Sequence, residues 1–189
     1  MRYYLIVSAL LLSMVASSQT YKKNTVKIQP YAYGQFGIVA GEAKTKEQVQ
    51  LVTGIRKGAW YAGVGAAVDN YHTRSVPVFI DIRRDIFTKR NAPFAYANMG
   101  YTCLWLKESE TILWEKDRKG GLYYDIGLGY KAALTEKFNL IFSAGFSRKS
   151  FTRTIDTEPW SSRWPPSPSA IRNYEYTLNR IVFKAGLGF

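Results

Sequence analysis

The chain has 189 residues, 47% of them hydrophobic and 15% aromatic, and carries 26 Lys and Arg against 14 Asp and Glu for a formal net charge of +12. That length suits one domain with a sizeable core. The only cysteine, Cys103, excludes an intramolecular disulfide, and with His72 as the only histidine there is no His/Cys cluster to hold a metal.

The first segment, residues 1–18, joins a basic residue at Arg2 to an apolar run from Tyr4 to Val15 and to the small residues Ala16, Ser17 and Ser18. This is the pattern of a secretory signal peptide with cleavage after Ser18. As a retained anchor helix the run falls about five residues short of a bilayer span. The residues next to the cleavage point include no cysteine, which argues against a lipid-anchored product. Export redirects the positive charge away from nucleic acid and toward an anionic membrane surface or glycan. Residues 19–30 form a polar, basic, periplasmic lead ending in Pro30. No later apolar run approaches ~18 residues, so no transmembrane helix is expected.

From residue 31 to residue 189 the hydrophobic period is two. Strands are expected at Tyr31–Ala40, 48–56, 60–69, 75–83, Phe94–Trp105, 122–132, 138–147 and 180–189, eight in all. In LYYDIGLGYKA, Leu122, Tyr124, Ile126, Leu128 and Tyr130 share one face, while Tyr123, Asp125, Gly127, Gly129 and Lys131 share the other. A strand sends successive side chains to opposite faces, so this one divides an apolar environment from a polar one. In strands 31–40 and 94–105 small residues blur the assignment. Pro77 falls inside a strand and lacks a ladder donor, which predicts a bulge there. The connections alternate in length: two of those at the end opposite the termini are by far the longest, near 106–120 and 150–172, and two of the three at the other end are tight turns. Short turns on one side and long loops on the other are the layout of a barrel in the outer membrane.

A soluble barrel or sandwich also alternates, but its polar face should be rich in Lys, Glu, Asp and Thr. Here that face is mostly Gly, Ser, Ala, Gln, Asn and Tyr with scattered charges of both signs. Such residues suit a narrow, crowded lumen in which Asp81, Arg83, Asp125, Lys131 and Lys184 pair with one another. The other face is free of charge for about nine residues per strand, the length that crosses hydrocarbon when tilted. Tyr31, Tyr33, Trp60 and Phe138 at one end, and Trp105, Tyr124 and Phe151 at the other, are expected to form interfacial girdles.

The last strand, RIVFKAGLGF, sets Ile181, Phe183, Ala185, Leu187 and Phe189 on one face. With it the chain resembles the small eight-stranded outer-membrane β-barrels of Gram-negative bacteria, of the OmpA transmembrane-domain and OmpX type. The resemblance implies an all-β, antiparallel, up-and-down transmembrane barrel in the cell outer membrane, among lipid and lipopolysaccharide. It also implies that barrel-assembly machinery recognises Phe189, Leu187, Phe183 and Ile181, with Ala185 the weak match. Above Arg180 the alternation breaks, so Tyr174–Asn179 is expected to project beyond the membrane.

Chemistry is sparse. An eight-stranded barrel is just wide enough for side chains to fill it, which rules against a diffusion porin. His72 lies in DNYHTRS near Asp69 and Ser75, but a nucleophile, base and acid packed into one seven-residue loop is not a sufficient geometry for hydrolysis. Asp81 and Asp125 resemble an acid/base pair, yet Arg83 and Lys131 favour ion pairing. The Gly-x-Gly repeats at Gly63, Gly127 and Gly186 precede no helix and relieve crowding rather than hold a nucleotide. No cofactor is implied. Trp160 and Trp164 with Arg153 and Arg163 form either a protruding contact surface or a lid over the barrel mouth. Arg148, Lys149 and Arg153 offer a basic patch for lipid phosphate. The expected role is structural or interactive, the alternatives being a lipid- or peptide-modifying enzyme using His72, or a narrow transport pore.

Overall fold

The computed structural model describes residues 27–41, 45–71, 74–87, 89–105, 115–135, 138–156 and 171–189. They form eight strands: β1 (Ile28–Gly41), β2 (Thr45–Lys57), β3 (Trp60–Asp69), β4 (Ser75–Asp85), β5 (Ala92–Leu104), β6 (Glu115–Ala133), β7 (Asn139–Asp156) and β8 (Ile171–Gly188). Each pairs antiparallel with its neighbour in sequence, and β8 pairs back onto β1, giving a closed barrel. Closure leaves no edge within the barrel wall, the condition for β structure in lipid. The backbone of Phe189 completes the seam by exchanging hydrogen bonds of 2.9 and 3.0 Å with Ala32.

Local chemistry places the turns. Between β2 and β3 the chain reverses through Gly58, whose φ of 64° lies in the region glycine occupies without a Cβ penalty. This turn shares its end of the barrel with Ile28 and Phe189, the end that short turns assign to the periplasm.

The faces segregate strictly. Leu51, Val64 and Leu128 are 66, 60 and 64% exposed, whereas Asp81, Asp125 and Lys149 are fully buried. The apolar belt therefore looks out and the charges look in, the reverse of a soluble domain. Inside, glycines stand opposite rings: a Cβ on Gly65 would meet the Phe79 ring at 2.6 Å, and one on Gly127 would meet Tyr96 at 2.8 Å. The repeated glycines thus make room for the aromatic filling.

Several expectations are corrected. Pro77 causes no bulge; the β3–β4 pairing lapses at Pro77 and Val76 and resumes at Asp69/Ser75 in unchanged register, while Pro77 stays aligned with Thr102 of β5. The register shifts lie in β6 against β7, between Glu115 and Asp117 and between Gly120 and Tyr123. Residues 115–120 and 150–156, assigned to loops from the sequence, are strand. β6, β7 and β8 run 19, 18 and 18 residues against 10 for β3. Their outer parts form a three-stranded extension: β8 stays paired with β7 up to Ile171, but its pairing with β1 ends at Arg180. Tyr174–Asn179 therefore does project, as paired strand rather than as irregular chain. Tyr31, Tyr33 and Phe151 are not girdle residues: Tyr31 and Tyr33 share the parity of Gln35 and are buried in the lumen, and Phe151 is buried on the extension, with the parity of Lys149. Trp60 and Trp105 are exposed on the outside, while Phe138, half exposed, stands at the mouth of the barrel at the periplasmic end.

Candidate functional site

The chemistry-bearing side chains of the described strands converge in the lumen, in layers. The outermost layer centres on Asp69, the last residue of β3, which its strand parity turns inward. One carboxylate oxygen accepts from Lys149 Nζ at 3.2 Å and from Arg180 Nη1; the other accepts the Tyr71 backbone N–H at 2.7 Å. Lys149 also donates to Ser75 Oγ and to the Tyr71 carbonyl, each at 3.0 Å, and Arg180 Nη2 donates to Ser147 Oγ at 2.9 Å. All three charged side chains have no solvent exposure. Charges so far from water persist only when paired and hydrogen-bonded.

Below lies Asp125, bonded to Lys184 and accepting from Tyr96 OH at 2.9 Å. Lys184 Nζ reaches Gln50 Oε1 at 3.3 Å and sits 4.6 Å from the Tyr96 ring centroid. Gln48 donates to Tyr123 OH at 3.4 Å, so the β2 glutamines tie this layer across the barrel.

The third layer holds Asp81 and Arg83. Asp81 accepts from Tyr31 OH and Tyr33 OH at 2.9 and 2.8 Å, while Arg83 Nη2 stands 4.0 Å from it. The Arg83 guanidinium lies instead between rings, 4.1 Å from the Tyr33 centroid and 4.3 Å from that of Phe94. At the periplasmic mouth Asp85 is bonded to Lys131, accepts from Tyr61 OH at 2.9 Å and faces Arg56 at 3.8 Å.

All five charges expected in the lumen face inward, but they do not form one network. Asp81 faces Arg83, Asp125 pairs with Lys184, and Lys131 pairs with Asp85, which the sequence reading did not single out. It also missed Asp69, Lys149 and Arg180 as a set. Lys149 in particular belongs to the lumen, not to a surface patch with Arg148. Continuing the inward parity of Gly63 and Gly65 to Asp69, and of Lys184 to Arg180, would have found them. Asp69 and Ser75, considered beside His72 for hydrolysis, both point into the lumen and both bond Lys149. His72, Trp160, Arg163 and Trp164 lie outside the described residues. Arg153 sits on the β7 extension, aligned with Arg118 and Tyr174. Ile181, Phe183, Ala185, Leu187 and Phe189 all face outward.

No family model and no curated protein sequence matches the chain. Among solved structures it is similar to the N-terminal β-barrel domain of Pseudomonas aeruginosa OprF, with a TM-score of 0.51 and 11% identity over 86% of this chain and 100% of that one. Neisserial surface protein A (NspA) aligns with a TM-score of 0.47 and 14% identity over 85% of this chain and 95% of that one. Outer membrane protein AlkL aligns with a TM-score of 0.48 and 10% identity over 91% and 95%. The OprF likeness is one of fold. Fold, closed ladder and apolar exterior together make this chain an outer-membrane β-barrel, located in the cell outer membrane.

Proposed function

We propose that the protein is a closed-lumen barrel with a structural and surface-interaction role in the outer membrane, without catalysis and without a conducting path. The observation that carries this reading is the layer of Asp69, Lys149 and Arg180, joined across the lumen by side chains with no solvent exposure. Two further layers, at Asp125 and at Asp81, lie beneath it. An ion crossing the barrel has to break each of them in turn. The β6–β8 extension supports the surface role, since it raises paired strands beyond the belt at the end with the longest connections. Lipopolysaccharide is the neighbour proposed for the outer rim, and barrel-assembly machinery the partner proposed for the outward face of β8, Ile181 to Phe189.

The test is conductance of the purified barrel in planar bilayers. The expected record is flat for the native chain and stays flat for Asp69→Ala, because the layers at Asp125 and Asp81 remain beneath the one it opens. Regular channel steps from the native chain would overturn the closed-lumen reading.

A further inference from the structure

The lumen is sealed from the outer end but not from the other. Below Arg83 it opens into a blind vestibule of about 830 Å³ that faces the periplasm. That is the size of small-molecule sites, which combine apolar walls with few convergent polar groups. Its walls include Tyr31, Tyr61, Phe94 and Phe138. Its charges are one-sided: Arg56, Arg83, Lys89, Arg90 and Lys131 line it against the single side-chain carboxylate of Asp85.

Arg83, at the floor, is the informative group. It is 5% exposed, and its guanidinium carbon lies over the rings of both Tyr33 and Phe94. Its donors are not matched by acceptors: Nε is buried with no hydrogen-bond partner among the described residues, and Asp81 at 4.0 Å from Nη2 is beyond hydrogen-bond reach. Asp81 is meanwhile satisfied by Tyr31 and Tyr33. Burying charged donors without acceptors is costly, and a guanidinium held against rings presents its donors in a fixed fork matched to oxyanions. The cations at the mouth, of which Lys89 and Arg90 are exposed on the β4–β5 turn, draw an anion toward that floor.

We propose that this vestibule binds a small soluble ligand from the periplasm, one carrying a phosphate or carboxylate next to a planar apolar group. The oxyanion takes the Nη end of Arg83, Lys131 and Arg56 supply the surrounding positive charge, and the planar group lies against Tyr61, Phe94 and Phe138.

The test titrates the folded barrel in zwitterionic detergent with phenyl phosphate, benzoate and benzylammonium, by calorimetry at low and at physiological salt. One saturating site is expected for each anion, weakening as salt rises, and none for the cation. Arg83→Gln should lower phenyl phosphate affinity by about tenfold or more, the scale of lost charge-assisted hydrogen bonds. The heat-modifiable band that marks a folded barrel should remain. Should Arg83→Gln fail to assemble, the double variant Lys131→Gln/Arg90→Gln decides, with a loss of about fivefold expected from two partly exposed charges. Absence of saturable anion binding, equal binding of benzylammonium, or native affinity in the deciding variant would overturn the site.

Discussion

The two faces of β8 solve opposite problems with adjacent residues. Ile181, Phe183 and Leu187 are 55, 59 and 53% exposed, while Arg180, Val182 and Lys184 between them are nearly or fully buried. The outward face meets a fluid solvent of lipid, so it needs only apolar area and accepts many side chains. The inward face meets fixed partners on other strands, so each charge needs a particular acceptor at a particular height. The comparison teaches that the outside of this barrel is specified by composition and the inside by pairing.

The largest break in that comparison is expected inside. Asp69→Ala leaves Lys149 and Arg180 buried with no carboxylate between them, and removing one member of a buried charge cluster costs about 3–5 kcal/mol. Urea unfolding in lipid vesicles should read it. Lys149→Met sharpens the point: it leaves a one-to-one Asp69 and Arg180 pair and should cost clearly less. A comparable loss for both would mean that the layer acts by packing rather than by charge.

Outside, Val64→Arg puts a cation in the middle of the β3 belt and should cost about 2–4 kcal/mol, whereas Val64→Leu should be nearly silent. The same vesicle titration separates them, and tolerance of the arginine would contradict a lipid-facing belt. Next comes Phe189, 68% exposed on the outward face. Its truncation to Ala removes apolar area equivalent to about 1–3 kcal/mol. If assembly machinery reads this face, the folded fraction in outer membranes should fall further for Phe189→Ala than for Leu187→Ala, although both trim the same face. Equal fractions, measured by the mobility of unheated and boiled samples, would reduce Phe189 to ordinary surface. The smallest effect is expected from Asp85→Asn, about 1 kcal/mol, because its partners Lys131 and Arg56 are 12 and 39% exposed at a mouth that admits water. A loss as large as that of Asp69→Ala would show that the vestibule is as dry as the layer above it.

Much of this was legible before any coordinates. Period two fixed the number of strands and the parity of Ile126 against Asp125, because a pleated strand has no other way to place successive side chains. The Tyr31 and Tyr33 assignment failed for a physical reason: tyrosine suits a membrane interface and a polar lumen equally, its ring apolar and its hydroxyl a donor. Parity with Gln35 decided for the lumen, where both hydroxyls reach Asp81. The long outer strands were hidden because β6 beyond Tyr123 and β8 beyond Arg180 leave the membrane, and the alternation that lipid imposes ends there.

By itself, then, the sequence determined the architecture and the sign of each face: eight alternating strands, an uncharged exterior and a polar interior. It determined these because they depend only on neighbours along the chain. Which carboxylate holds which cation was decided by the closed barrel alone. Asp69 and Arg180 are 111 positions apart, and Lys131 and Asp85 are 46. They meet because register and closure bring strands two and three places apart around the ring to one height. The same closure left Arg83 against the rings of Tyr33 and Phe94 with its Nε unpartnered, a state that no spacing along the chain encodes.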